Sequence, residues 1–149
     1  MPCAMNRREA LAAGAGAVVG LSVAALPAYA LNDYAEQIRK FTGGKTPVEG
    51  RVRLDLPELA ENGNTVPMTV QVDSPMESGV HVEEILVLAP ANPNARVIRF
   101  RFSSMSLPEA ATRIRLAETQ DVIAVAKLSD GRFFSVARQI KVTIGGCGG

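Results

Sequence analysis

One thiol lies near the end of the sequence between two pairs of glycines, in the segment Gly145-Gly146-Cys147-Gly148-Gly149. Glycine lacks a Cβ and adopts either sign of φ, so the segment is predicted to be a flexible arm that buries nothing. At roughly 3.3–3.6 Å per extended residue, the sulfur reaches on the order of 7 to 10 Å beyond Ile144. Such a thiol is suited to entering narrow clefts on other proteins.

The first 30 residues are typical of a bacterial export signal. A paired arginine, Arg7-Arg8, precedes an apolar, glycine-containing stretch, and Ala28-Tyr29-Ala30 forms a small-x-small cleavage site. This combination predicts a twin-arginine signal peptide over residues 1–30 and a periplasmic protein. The apolar stretch is too short and too rich in glycine to favour a membrane span, although a retained N-terminal anchor is the alternative.

Cleavage after Ala30 changes the composition of the chain. It leaves 149 minus 30, or 119, residues, which fits one small domain over residues 31–144 plus the arm at 145–149. The signal carries two of the 16 basic and one of the 15 acidic residues, so 14 of each remain. A neutral chain gives no reason to expect nucleic acid or an anionic membrane as partner. Cys3 leaves with the signal, and the unpaired Cys147 therefore suggests intermolecular bonding or a reactive thiol.

The elements that must carry this arm are one helix and many strands. Asp33-Tyr34-Ala35-Glu36 has the spacing of a capping box, and Tyr34, Ile38 and Phe41 recur at helical intervals before Gly43-Gly44. Beyond Val48 the apolar residues alternate with polar ones, which predicts strands. These strands include residues 52–56, 66–72, 80–88, 98–102, 114–116, 122–128, 133–137 and 140–144.

The spacing of these runs predicts the fold. Seven or eight short strands separated by turn residues in one small domain favour a mainly β protein, an immunoglobulin-like antiparallel β-sandwich. The predicted architecture is therefore a sandwich with a short N-terminal helix and a flexible glycine arm.

The predicted sandwich offers little catalytic chemistry of its own. His81 could act as a base, but it lies far from Cys147 in sequence, and a surface or edge position is the simpler reading. Glu83 and Glu84 would point to opposite faces of a regular strand, so they indicate a bulge or a strand edge rather than a catalytic pair. One histidine and one mature cysteine predict no metal site. A stripe of arginines could attract an anion, or could simply be a solvated face: Arg99, Arg101, Arg113 and Arg115.

Several segments together resemble one family. The tail from Val142 to Gly149 closely resembles that of SoxY, the sulfur-carrier subunit of the bacterial thiosulfate-oxidising (Sox) system. Four internal stretches also look like SoxY: Leu56 to Pro67, Val72 to Met76, Thr112 to Ala117 and Leu128 to Gly131. The tail is the specific part of this resemblance, because the internal stretches mainly reflect a shared sandwich.

The resemblance implies a role for Cys147 as the covalent attachment site for sulfur, with Gly145, Gly146, Gly148 and Gly149 as the arm. It implies a SoxZ-like subunit as heterodimer partner and no cofactor beyond the sulfur adducts. A c-type cytochrome would form a cysteine S-thiosulfonate, a hydrolase would release sulfate, and a sulfane dehydrogenase could oxidise the remaining sulfur. An unperturbed thiol has a pKa of about 8.5, so the partners' active sites are expected to activate it. The chain itself is then a carrier, not an enzyme.

Two other functions remain open from the residues. An exported structural or adhesive module could use a terminal cysteine for a disulfide-linked dimer. A thiol oxidoreductase is disfavoured because the mature chain has no second cysteine to resolve a mixed disulfide.

Overall fold

The computed structural model describes residues 33–77 and 79–146. The predicted signal peptide, residues 1–30, lies outside the described residues, as do Cys147, Gly148 and Gly149. The described part is one helix and two sheets, which confirms the predicted immunoglobulin-like sandwich with a short N-terminal helix. Among these residues, no helix has the length and hydrophobicity that a membrane crossing requires.

Helix α1 spans Tyr34–Thr42 and ends where the sequence predicts. Gly43 adopts the left-handed conformation with φ 63°, a backbone conformation that residues with a Cβ rarely adopt, and so ends the helix. The predicted capping box is wrong. The Asp33 side chain makes no cap bond and instead accepts from Gln37, while Glu36 binds Arg39.

Within the described residues, nine strands form the two sheets. The larger sheet has the order β1-β9-β8-β5-β6 with β3 also paired to β9, and the smaller has the order β2-β4-β7. The strands are β1 (Val48–Glu49), β2 (Val52–Asp55), β3 (Leu59–Asn62), β4 (Val66–Val72), β5 (Val82–Leu88), β6 (Arg96–Arg101), β7 (Glu109–Ile114), β8 (Gln120–Leu128) and β9 (Phe133–Ile144).

Strand β9 differs from its prediction. It runs unbroken for 12 residues where the sequence pattern indicated two strands. Its ladder with β8 is antiparallel, but β1 and β3 both pair with it in parallel. The two short strands thus cover both ends of an edge that would otherwise expose unpaired backbone groups. Strand β9 also carries the chain to Ile144, directly before the glycine arm.

The core lies between the two sheets. Alternate residues of β4 point inward, and Val66 and Val70 are fully buried. They belong to one core cluster with Ile85 and Val87 of β5. Burying one such side chain contributes about 1.5–3 kcal/mol, so this layer accounts for much of the stability. The sandwich is therefore a rigid base for the segments at its ends.

Helix α1 contacts the larger sheet through aromatic and cationic side chains. The rings of Phe41 and Phe133 meet edge to face with centroids 6.0 Å apart. The Arg99 guanidinium lies 5.4 Å from the Phe41 ring centre, and Lys45 donates to the Gly131 carbonyl. These contacts join the helix to both β6 and the β8–β9 hairpin.

Candidate functional site: the root of the glycine arm

The first glycines of the arm are held by backbone hydrogen bonds. The Gly146 N–H donates to the Leu116 carbonyl at 2.8 Å, and the Leu116 N–H donates to the Gly63 carbonyl at 2.8 Å. The Gly63 N–H in turn donates to the Ile144 carbonyl at 2.8 Å. Together with Gly145 and Ala117, these residues join the ends of β3, β7 and β9, and we call this group the arm root.

Space, rather than backbone conformation, explains the glycines of the arm root. A Cβ on Gly145 would overlap the Ala117 carbonyl oxygen, and one on Gly146 would lie 2.8 Å from the Gly63 carbonyl oxygen. A Cβ on Gly63 would overlap the Leu116 carbonyl oxygen and lie 2.7 Å from the Gly146 nitrogen. The three backbones approach this closely only because all three positions are glycine.

The arm root corrects one expectation from the sequence. The arm was expected to contact nothing from Gly145 onward, yet Gly145 packs on Ala117 and Gly146 pairs with Leu116. Gly63 makes the contact possible because it brings the β3–β4 turn against both segments. Cys147, Gly148 and Gly149 lie outside the described residues, so their expected freedom stays a prediction.

Asn92 fixes the segment on which the arm root rests. Its amide nitrogen donates to the Arg115 carbonyl at 2.9 Å, and its amide oxygen accepts from the Ala117 N–H at 2.9 Å. The same oxygen accepts from the Gln120 amide at 3.0 Å. Asn92 is 6% exposed and Gln120 is 7% exposed, so these bonds are sheltered from water. They hold the Leu116 carbonyl in place for Gly146.

The other candidate groups lie elsewhere. His81 directly precedes β5 and is not part of the arm root. Its backbone N–H donates to the Ser129 hydroxyl. Glu83 binds Lys127 at 2.9 Å, and this hydrogen bond raises the pKa of the lysine above its usual value. A register shift between Val82 and Glu84 confirms the predicted bulge. Within residues 33–77 and 79–146, no three metal-ligating side chains cluster.

The predicted arginine stripe divides into two groups. Glu84 pairs with Arg101 at 3.1 Å and with Arg99 at 3.7 Å, on the β5–β6 side. Arg113 and Arg115 lie on and just after β7, where they line a different cleft. The sequence could not separate these pairs because the pairing of β5 with β6 decides which arginines meet a carboxylate.

The matched part of the chain extends from the helix through the arm root to the thiol. Residues 38–147 match the family model of the sulfur oxidation protein SoxY, and this range ends on Cys147. The chain belongs to the SoxY family. The match confirms the resemblance seen in the sequence. A search of curated proteins gave no match.

Solved structures support the same family. The sulfur carrier protein SoxY from Chlorobium limicola f thiosulfatophilum is 30% identical with a TM-score of 0.62, over 75% of this SoxY-family chain and 97% of the other. A superoxide reductase (neelaredoxin) from Ignicoccus hospitalis is 16% identical with a TM-score of 0.56, over 62% and 80%. One from Nanoarchaeum equitans is 12% identical with a TM-score of 0.54, over 64% and 100%. At these identities the superoxide reductases share the fold alone.

Sequence reasoning identified the arm of this SoxY-family chain but missed the residues that hold it. Gly63 lies in a turn-like Asn-Gly-Asn segment and Asn92 in a segment rich in proline and asparagine, and neither pattern indicates contact with the arm. A Gly inside an Asn-Gly-Asn turn carried a weak signal, since glycine also marks close backbone approach. Only the fold brings that turn to Gly146.

Proposed function

We propose that the chain carries sulfur covalently on Cys147 during periplasmic thiosulfate oxidation and presents it to partner enzymes. The observation that carries the proposal is the family match, which runs unbroken through the arm root to Cys147. The similar Chlorobium protein is described as a sulfur carrier, which supports the same role here. The chain would act as the substrate of its partners rather than as a catalyst.

The proposed loading step joins two sulfur atoms. The Cys147 thiol and the outer sulfur of thiosulfate form an S–S bond, the thiol proton is released, and two electrons pass to a c-type cytochrome partner. The product is a cysteine S-thiosulfonate with one negative charge. Water then attacks the terminal sulfonate in a hydrolase partner, which releases sulfate and leaves a persulfide on Cys147. A sulfane dehydrogenase, where present, would oxidise that remaining sulfur.

The arm root gives this chemistry a defined starting point. Gly145 and Gly146 bring the chain out from Ile144 along a fixed path, because both contact backbone atoms that Asn92 and β7 hold in place. Cys147 follows directly in the sequence, so its thiol would be presented from this end of the sandwich. A SoxZ-like subunit is the proposed heterodimer partner, and export by the twin-arginine route would bring the pair to the periplasm together.

The substitution Cys147→Ser tests the proposal. A hydroxyl of nearly the same size cannot form the S–S bond, so thiosulfate-dependent turnover by the reconstituted partner enzymes should disappear. Folding and binding to the SoxZ-like chain should persist, as measured by circular dichroism and light scattering. Mass spectrometry of the wild-type chain after turnover should find sulfur adducts on Cys147.

Two results would contradict this function. Normal turnover by the serine variant would show that Cys147 is not the carrier. A wild-type chain that shows only free thiol or a disulfide-linked dimer after turnover would favour the structural or adhesive alternative.

A further inference from the structure

A cleft opens between the two sheets at the side where each ends in an unpaired edge strand. It lies between β6 of the larger sheet and β7 of the smaller one, neither of which has a second partner strand among the described residues. Its volume is about 300 Å³, and Val97, Ile98 and Ile114 form apolar parts of its lining. This is room for a tetrahedral oxyanion together with several waters, since a water occupies about 30 Å³.

The charge of this cleft is unbalanced. Three arginines line it together with Asn92 and Asn94, and no carboxylate does: Arg96, Arg113 and Arg115. In the part of the chain that the structure describes, none of these arginines forms an ion pair, and Arg113 makes only a 3.4 Å contact with the Thr65 hydroxyl. The strand partners are also uncharged, since Arg96 lies opposite Leu88 and Arg113 opposite Pro67.

Two other clefts on the same sandwich each contain more carboxylates than arginines. Arg53 shares its cleft with Asp73 and Glu109, and Arg138 shares another with Asp55 and Glu58. Guanidinium groups gathered without a carboxylate repel one another, and a bound anion relieves that repulsion. The guanidinium fork also matches the oxygen geometry of an oxyanion. The β6–β7 cleft therefore differs from its neighbours in the way an anion site requires.

The cleft and the arm root share one segment of chain. Asn92 lines the cleft and binds the Arg115 carbonyl, and Leu116, the next residue, accepts the hydrogen bond from Gly146. Arg115 is therefore separated from Cys147 by two peptide units and one hydrogen bond. With about 5.5 Å between Cα atoms joined across a backbone hydrogen bond and about 3.8 Å for one peptide unit, the Cα atoms of Gly146 and Arg115 are on the order of 9 Å apart, and Cys147 is the next residue in the sequence.

We infer that this arginine cleft binds the anionic end of a sulfur adduct on Cys147, holding the terminal sulfonate between visits to partner enzymes. The inference rests on the proposed function for the identity of the adduct. The anion is the part recognised, so the neutral thiol has no reason to bind there. The cleft would shelter the sulfonate and keep the loaded arm close to the sandwich.

The test makes the adduct without partner enzymes. Tetrathionate reacts with the Cys147 thiolate to give the S-thiosulfonate and one thiosulfate, and methyl methanethiosulfonate gives a neutral methyl disulfide of similar length. Backbone amide resonances of residues 96–98 and 113–115 are then compared in the mature chain, residues 31–149, whose one thiol is Cys147. The thiosulfonate should shift these resonances, and the methyl disulfide should leave them unchanged.

Charge-matched variants locate the effect. The double variant Arg113→Gln/Arg115→Gln should lose the shifts. The double variant Arg53→Gln/Arg138→Gln, which removes two exposed charges from the carboxylate-containing clefts, should keep them. The Cys147→Ser chain keeps all three arginines of the cleft. Free sulfate, added to this chain at fixed ionic strength, should shift the same resonances. All four arginines are exposed, so both double variants should fold normally.

The outcomes separate this inference from the proposed function. Three results would contradict sulfonate binding in the cleft: equal shifts in both double variants, equal shifts for the two adducts, or no shift with the thiosulfonate. Failure of Cys147 to load during enzymatic turnover would overturn the proposed function, while the response to tetrathionate would still decide whether the cleft binds a sulfonate.

Discussion

Two Gly-Gly pairs end two different elements of this chain, and they are glycine for different reasons. Gly43 and Gly44 follow helix α1 with φ values of 63° and 85°, and a Cβ on either would meet nothing within 4 Å. Gly145 and Gly146 follow β9 without a positive φ, and a Cβ on either would run into backbone atoms. The first pair supplies a backbone conformation and the second supplies space.

The same dipeptide can therefore end a helix or allow the end of a strand to pack closely against neighbouring backbone. A left-handed conformation is a local property, so the sequence around Gly43 is enough to predict it. A close backbone approach depends on what the fold brings alongside, so Gly146 looks like a free tether until Gly63 and Leu116 are in place. The substitutions below separate these two roles.

The largest effect is expected at Gly63, the buried member of the arm root. In Gly63→Ala, the added methyl would overlap the Leu116 carbonyl, and neither the β3–β4 turn nor β7 can move away without disturbing the core. We expect a loss of about 2–3 kcal/mol in the free energy of unfolding, measured by urea denaturation. The exposed Gly79, where a Cβ meets nothing, is the matched control. A loss at Gly63 no greater than at Gly79 would contradict the close approach.

A smaller effect distinguishes the two pairs. Asparagine tolerates the left-handed conformation, so Gly43→Asn should cost only a few tenths of a kcal/mol while Gly43→Ala costs about 1 kcal/mol. At Gly145 the obstacle is steric, so Asn and Ala should cost the same, about 1 kcal/mol, through loss of the Gly146 hydrogen bond. Thermal unfolding and amide exchange at Gly146 measure both. Rescue by asparagine at Gly145 would show that conformation, not space, selects glycine there.

The smallest effect is expected on removing the thiol itself. Deletion of residues 147–149 removes none of the hydrogen bonds of the arm root and should leave the unfolding free energy unchanged within a few tenths of a kcal/mol. Deletion of residues 145–149 also removes the Gly146 donor and should cost about 1 kcal/mol. Equal stability of the two truncated chains would contradict the arm root and would support the free tether that the sequence suggested.

The sequence predicted local features of the fold well and long-range ones poorly. Strand β4 was found at its true bounds because alternate residues of Val66–Val72 are buried, which is a local pattern. Strand β3 was missed because Leu59–Asn62 does not alternate and becomes a strand by pairing with β9. The run around Ile114 was placed too late, since pairing with β4 begins at Glu109.

The site was predictable to the same extent. Cys147 and its glycines stand out in the sequence because a lone thiol among glycines has no structural purpose. The residues that fix the arm root do not stand out in the sequence. Gly63 and Asn92 are ordinary turn residues, and the arm-root groups to which they hydrogen-bond lie more than 20 positions away. The split of the arginines likewise depends on strand pairing.

The arm root also sets the volume that the thiol can search. A chain released at Ile144 would carry the sulfur over a radius on the order of 7 to 10 Å, whereas one paired through Gly146 leaves about one residue, or about 3.5 Å. Because volume grows with the cube of the radius, the shorter tether would confine the thiol to a volume about 8 to 23 times smaller. The effective concentration of the thiol at the active site of a correctly docked partner would rise in proportion. The active site of a partner docked a few ångströms away would lie outside the reach of the thiol.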